Sequence, residues 1–389
     1  MLSCHREQPE WEDSISRENE STLSGPQATL RLRRRMPTRP AIAARIQTLH
    51  PAYFALVMAT GILGISASYE GMRTLAVALT WVNTAAFLVL VLLTLARVVL
   101  FTDVLTRDLG AFDRGPGFFT IVAGICVLGD QWVTVRGNWT AGLVLWLAAI
   151  PVWAFFMYAV FTLFIVREEK PSLAQGIHGG WLTIVVATQA ISASGALLAP
   201  GLPGPGHRAE VLFFCLLMWL CGGVLYIWLI SLILYRYLFF RFTPSDFTPP
   251  SWIDMGAMAI STLAGALLID RAETSSFLAG MLPFLRGFTL LFWATATWWL
   301  PMLVILELWR HVWKRFPLTY DPLYWGLVFP IGMYSACTSR LLKVMDLPFL
   351  WWIPRVFVYI ALAAWLAVFA GLLRRLASVL RGTAPDSSM

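Results

Sequence analysis

Charge is what this chain has least of. Only 13% of its 389 residues are Asp, Glu, Lys or Arg, about half the roughly 25% usual in soluble domains. A soluble fold this apolar would have to expose greasy surface that water does not tolerate. Histidine is scarce as well: His5, His50, His178, His207 and His311 lie in the N-terminal stretch or near the ends of apolar runs. A membrane b-type haem needs facing histidines within the membrane, and no such pair is present. HExxH, GxxxxGK(S/T) and a usable GxSxG are missing, so zinc hydrolysis, direct ATP drive and a serine nucleophile have no residues to carry them. No catalytic residue, metal-ligand set or cofactor is therefore expected. The five cysteines, Cys4, Cys126, Cys215, Cys221 and Cys337, form no CxxC pair, and four of them sit inside apolar runs, where they read as packing residues. "GLPGPG" at 201–206 is a turn rather than a phosphate loop, "NWT" at 138–140 is a sequon of the kind that arises by chance, and Asp270, Arg271 and Glu273 read as a solvated loop face.

Apolar sequence fills the space. Hydrophobic residues make up 58% of the chain, its mean hydropathy is +0.69, and several runs reach the 20 or so residues that cross a hydrocarbon core of about 30 Å. The runs are long and continuous, unlike the short alternating strands of an outer-membrane barrel. The fold class is an all-α polytopic membrane protein with ten transmembrane helices, at 51–69, 74–101, 117–135, 139–166, 179–199, 209–240, 252–270, 279–309, 325–345 and 351–376. Residues 1–47 read as a disordered polar, then basic tail, with Met36 as an alternative start; 48–380 form the ten-span domain; 381–389 are a C-terminal tail.

The net charge of +7 sits in termini and loops, so it is an orientation signal rather than a nucleic-acid footprint. Arg31, Arg33, Arg34, Arg35, Arg39 and Arg45 precede the first span, and Arg374, Arg375 and Arg381 close or follow the last. By the positive-inside bias both termini face the cytoplasm, across a cell (inner) membrane.

The spans alternate in character. Odd ones are rich in small and weakly polar residues, as in "MATGILGISAS" and "VVATQAISASGALLA"; even ones are bulkier, as in "FLVLVLLTLARVVLF". Small residues allow close packing or line water, whereas lipid favours large apolar side chains. Odd spans are thus expected inside and even ones outside. Odd spans start near 51, 117, 179, 252 and 325, which reads as a helical hairpin repeated five times, its inner helices parallel around a central pore. The competing reading is that the small residues serve tight packing alone.

The ninth span, "LVFPIGMYSACTSRLLKV", carries a break and two bases. Pro330 has no N–H to donate and is expected to kink the helix. At about 100° per residue, Met333, Ala336, Arg340 and Lys343 all fall within about 40° of Phe329. A charged residue on a membrane helix costs about 2.5 kcal/mol or more, so it usually faces a bundle interior or watery cavity. Arg340 and Lys343 are expected to attract anions. Against that, Lys343 can snorkel to the interface, and Arg340 can pair with Asp130, Asp254 or Asp346.

Ten spans, small-residue inner helices and "WGLVFPIGMY" resemble the tellurite-resistance/dicarboxylate transporter family, which includes plant slow anion channels, bacterial tellurite-resistance permeases and yeast malate carriers. "HPAYFALVMATGILG" and "RGPGFFTIVAGICVLGDQ" are similar to the first and third spans of bacterial members, and the resemblance covers roughly 48–380. It implies five helical hairpins around a pore, assembled as homotrimers with one pore per subunit. It also implies that Phe329, directly before Pro330, occludes the pore. The bore would be lined by small and apolar groups, here Thr60, Gly61, Gly64, Thr120, Gly124, Gln131, Gln189, Ser192, Ser261 and Gly265. The expected activity is transport of small anions across the lipid bilayer, with C4-dicarboxylates such as malate or succinate as the first reading. Inorganic anions such as chloride, nitrate, sulfite or tellurite are the alternative, and a membrane enzyme or sensor is a remote third.

Overall fold

The computed structural model describes residues 39–381. Ten long helices make up most of it: α1 (Ala55–Tyr69), α2 (Arg73–Leu100), α3 (Phe119–Arg136), α4 (Trp139–Val166), α5 (Thr183–Leu198), α6 (Pro205–Phe239), α7 (Ile253–Asp270), α8 (Leu282–Leu308), α9 (Trp325–Met345) and α10 (Trp352–Leu380). Among the described residues nine segments are long and apolar enough to cross a membrane. The remaining helix, α9, has 21 residues, enough for about 30 Å at 1.5 Å per residue, but Arg340 and Lys343 make its end polar. The reading of residues 1–38 and 382–389 as tails, and of Met36 as a start, lies outside the described residues. Part of the expected tail, Arg39–Gln47, is instead a short helix.

The odd–even alternation corresponds to depth. α1, α3, α5 and α7 bury 72–100% of their most apolar stretch, while α2, α4, α6, α8 and α10 bury 17–44%. α9 is buried at nearly every position from Trp325 to Leu342. The inner helices pack as a closed ring: α1 on α3, α3 on α5, α5 on α7, α7 on α9, and α9 back on α1. Each even helix backs the odd helix before it and leans on the next odd helix in the ring. Large side chains such as Leu92, Ile165 and Trp228 cover the outside, where lipid is the only solvent they suit.

Each inner helix begins with a tight 3-10 turn: Pro51–Phe54, Gly115–Phe118, Gly179–Leu182, Pro249–Trp252 and Pro322–Tyr324. Proline and glycine in the first positions give up little there, because the first N–H groups of a helix lack helical partners anyway. Other side chains satisfy what remains. His50 Nδ1 accepts from the Ala52 N–H at 3.1 Å, His178 Nδ1 from the Gly180 N–H at 3.1 Å, and Asp321 Oδ1 from the Leu323 N–H at 2.8 Å. The five turns touch one another in the cyclic order of the helices and form a collar at one end of the ring. Thr120 donates to the Pro51 carbonyl (3.1 Å) and Thr183 to the Pro116 carbonyl (2.5 Å), tying successive turns together.

The histidine caps give the collar a pH limit. Burial, aided by Arg114 in the case of His50, pushes each imidazole down to about 4 from the ordinary 6.5. Above pH 6.5 both rings are neutral folded or unfolded, and the caps are intact. As pH falls from 6.5 toward 4 the unfolded chain takes up protons that the fold refuses, so stability declines through that window and levels off below it, by up to about 3 kcal/mol per histidine. Thermal unfolding of the detergent-solubilised protein is expected to show this decline, and His178→Asn, which retains a cap acceptor, is expected to roughly halve it, leaving the share of His50.

Candidate functional site: the inward face of the ring

The contacts of α9 fix which way each of its faces points. Trp293 Nε1–H of α8 donates to Thr338 Oγ1 at 3.0 Å, Tyr334 OH meets Thr297 Oγ1 of α8 at 2.8 Å, and Ser335 Oγ donates to the Pro354 carbonyl of α10 at 2.8 Å. These three mark the outer side. The Pro330 ring lies against Gly256 of α7, where a Cβ would come within 2.7 Å of it. On the other flank, Ser66 Oγ of α1 donates to the Gly332 carbonyl at 2.9 Å. At about 100° per residue, Phe329 lies opposite Thr338 and between the two flanks, so it turns toward the ring axis. Met333, Ala336 and Arg340 follow it on that face. Phe329 is 1% exposed and among the largest fully buried side chains. The helix runs unbroken through Pro330, which costs it only the bond to the Gly326 carbonyl.

Most of the polar and small residues expected to line the bore lie elsewhere. Thr60 Oγ1 accepts from Trp365 Nε1–H of α10 at 2.9 Å, on the outer side of α1. A Cβ on Gly61 would meet Val127 of α3 at 2.6 Å and Asn83 of α2 at 2.8 Å, and one on Gly64 would collide with the Gln131 amide. Gln131 Oε1 in turn accepts from Asn83 Nδ2–H at 2.9 Å. Gln189 donates to the Trp219 carbonyl (3.0 Å) and Ser192 to the Cys215 carbonyl (2.7 Å), both on α6. A Cβ on Gly265 would collide with Thr289 of α8 and approach Trp219 within 2.9 Å. Ser261 bonds back to the Ala257 carbonyl at 2.7 Å, Gly124 sits at ordinary contact distance from Phe54 and Val57, and Thr120 belongs to the collar. The packing reading therefore prevails for this set. In lipid a polar side chain must find a protein partner, and small residues let the backbone carrying that partner approach. These residues mark the seams between helices.

The inward face of α5 is apolar. On α5 the side opposite Thr188, Ser192 and Gly195 carries Val186, Ala190 and Leu197, all buried. Tryptophans of the outer helices anchor the opposite side: Trp153 Nε1–H donates to Thr188 Oγ1 at 2.9 Å and Trp146 Nε1–H to the Ile191 carbonyl at 2.9 Å.

At the end away from the collar the site becomes charged. The Arg340 guanidinium lies over the Tyr69 ring, 4.5 Å from its centroid. Among the described residues it has no carboxylate within ion-pair distance, and its Nε is buried without a partner. The alternative pairings with Asp130, Asp254 and Asp346 are not formed; Asp254 is held at the opposite end by Tyr237 OH at 3.1 Å. Lys343 is exposed. Tyr69, which no sequence pattern marks, lies at this mouth, and so does Arg271, which closes α7; expected on a solvated loop face, the Arg271 side chain is instead half-buried and donates to the Ala196 carbonyl at 3.3 Å. Asn138, the sequon asparagine, caps α4 by accepting from the Ala141 N–H at 3.0 Å.

A closed ring of buried helices with an apolar inward face defines a multi-pass membrane protein of the channel or transporter class. Residues 48–373 match the family model described as voltage-dependent anion channel, SLAC1, and the chain belongs to that family of membrane anion channels and transporters. It is 29% identical to an uncharacterized transporter of Methanocaldococcus jannaschii, over 77% of this chain and 85% of that protein. It is 37% identical to an uncharacterized membrane protein of Mycobacterium tuberculosis over 40% of this chain and 79% of that protein. It is also 22% identical to the sulfite efflux pump SSU1 of Arthroderma benhamiae, over 84% of this chain and 90% of that protein. The anion-transporter resemblance read from the motifs is borne out.

Proposed function

We propose that small anions cross the membrane through the centre of the five-helix ring and that Phe329 plugs the passage. The observation that carries this reading is the inward-turned, fully buried Phe329, with Arg340 above it on the same face and an apolar wall around it. An aromatic ring in a narrow apolar bore blocks ions by filling it and by excluding water. Arg340 sets the sign of the permeant, because an unpaired cation in a low-dielectric funnel concentrates anions. Lys343, exposed at the same end, adds to that field.

C4-dicarboxylates such as malate or succinate remain the first reading of the substrate. Sulfite is a second reading, favoured by the fungal sulfite efflux pumps that align with most of the chain. In this proposal the collar and both termini face the cytoplasm of a cell (inner) membrane, and the chain assembles as a homotrimer with one pore per subunit. Flux into proteoliposomes tests the reading, using malate, succinate, sulfite, nitrate and chloride with and without a pH gradient. Passage of one or more of these by the parent or by Phe329→Ala supports it, and absence of flux in both contradicts it.

A further inference from the structure

We infer that a cavity beside the collar, at the end of α2, is a phosphate site that takes the headgroup of an anionic phospholipid from the surrounding bilayer. The cavity measures about 400 Å³, and its charged lining is Arg97, Arg107, Arg114 and Asp108. It lies between the end of α2, the short helix Thr102–Leu109 and the segment that leads into the first collar turn. Three guanidinium groups thus face one carboxylate. A second cavity, of about 440 Å³, sets Arg167 and Lys170 against Asp113 and Glu169, so its charges balance. The cavity at the end of α2 keeps a surplus of positive charge.

That surplus is built into the fold. Arg97 is 2% exposed. Its Nη2 pairs with Asp108 Oδ2, and its Nε–H donates to the Gln47 carbonyl at 3.1 Å. Arg114 Nε lies 2.9 Å from the same Asp108 oxygen, and its Nη2–H donates to the Leu49 carbonyl at 3.3 Å. One carboxylate oxygen is therefore shared by two arginines. Arg107 stands exposed on the rim, its Nε–H on the Asp103 carbonyl at 3.2 Å. Each guanidinium carries more N–H donors than these contacts engage. Cations gathered at the border of a low-dielectric layer attract an anion strongly.

The chemistry of the cavity selects phosphate. A guanidinium fork matches the paired oxygens of a phosphate and donates two parallel hydrogen bonds to it. The position favours a lipid as its source. The last turn of α2 turns Val98, Val99 and Leu100 outward, 41%, 78% and 62% exposed, so apolar surface suited to acyl chains runs up to the cavity. Basic pockets on the cytoplasmic side of helical membrane proteins hold phospholipid headgroups in this way. Leu49 leads into the first collar turn, Pro51–Phe54, and Arg114 directly precedes the second, Gly115–Phe118. A bound headgroup therefore ties both turns to α2.

Phosphatidylglycerol added to the detergent-solubilised protein is expected to raise its unfolding temperature by about 3 °C or more. Phosphatidylcholine with the same acyl chains is expected to do little, and inorganic phosphate to do less than the anionic lipid. Arg107→Gln removes a rim charge and leaves the contacts among Arg97, Asp108 and Arg114 in place. It is expected to raise the phosphatidylglycerol concentration for a half-maximal shift about fivefold. Arg167→Gln, in the charge-balanced cavity, is the comparison and is expected to respond as the parent does. No shift with phosphatidylglycerol, equal shifts with both lipids, or a response that Arg107→Gln leaves unchanged would overturn the site. A full shift with inorganic phosphate, to which the lipid adds nothing, would overturn the lipid as the source of the phosphate.

Discussion

Phe329→Ala is expected to raise basal anion conductance by about tenfold or more in a planar bilayer or oocyte recording. The parent side chain is 1% exposed, faces the ring axis, and is fixed at its base by Pro330 against Gly256. Truncation removes the ring and leaves the helix, because Phe329 makes none of the hydrogen bonds by which α9 is held. Those belong to Thr338, Tyr334, Ser335 and Gly332. Opening in the parent needs only a side-chain rotation or a small shift of α9, and the alanine variant makes that motion unnecessary. Phe329→Leu, which keeps most of the bulk, is expected to remain nearly closed. A folded, membrane-inserted alanine variant conducting no more than the parent would end the plug proposal.

Trp219→Ala is expected to cost about 3–5 kcal/mol of stability, the range for truncating a large buried aromatic. Trp219 is wholly buried. Its Nε1–H donates to the Ser261 carbonyl at 2.9 Å, and its ring meets Phe284, Phe288 and Phe292 edge-on with centroids 5.5–6.2 Å away. Gly265 exists to let this indole and Thr289 approach α7. One side chain thus joins α6, α7 and α8. Trp228→Ala, which removes an indole 64% exposed on the outside of the same helix, serves as the comparison and is expected to change little. Unfolding in mixed micelles separates the two, and equal losses would mean that the seam around Trp219 is not where the stability lies.

Span positions and the inside–outside alternation were legible because both follow from composition alone: lipid demands bulk, and close packing demands small side chains. α4 and α9 begin and end where the pattern puts them, at 139–166 and 325–345. The other inner helices start one to four residues later, at Ala55, Phe119, Thr183 and Ile253, because their expected starts fall within the 3-10 turns. The signal for those turns is present as HPAYF, RGPGF, HGGWL, TPPSW and DPLYW, one before each inner helix. It is a pattern of turn residues, to which hydropathy is blind. The face of α9 that carries Phe329 and Arg340 was legible because a helix keeps a strict angular register. The bore lining was not. Thr60, Gln189, Ser192 and Gly265 have the chemistry of water-facing residues and also that of seam residues, and only their partners, Trp365, Trp219, Cys215 and Thr289, separate the two roles. Those partners lie on the outer helices, at sequence distances that no periodicity connects.

The central claim is that a passage runs along the apolar inward faces of the ring and not through the polar seams. Cysteine modification on α5 tests it most directly, with a charged thiol reagent applied to Phe329→Ala carrying single substitutions Val186→Cys, Ala190→Cys or Leu197→Cys on the inward face, or Gln189→Cys or Ser192→Cys in the seam. The three inward positions are expected to react and to block anion flux on reaction, while the two seam positions stay protected. Modification of Gln189→Cys and Ser192→Cys with Ala190→Cys and its companions spared would contradict the account.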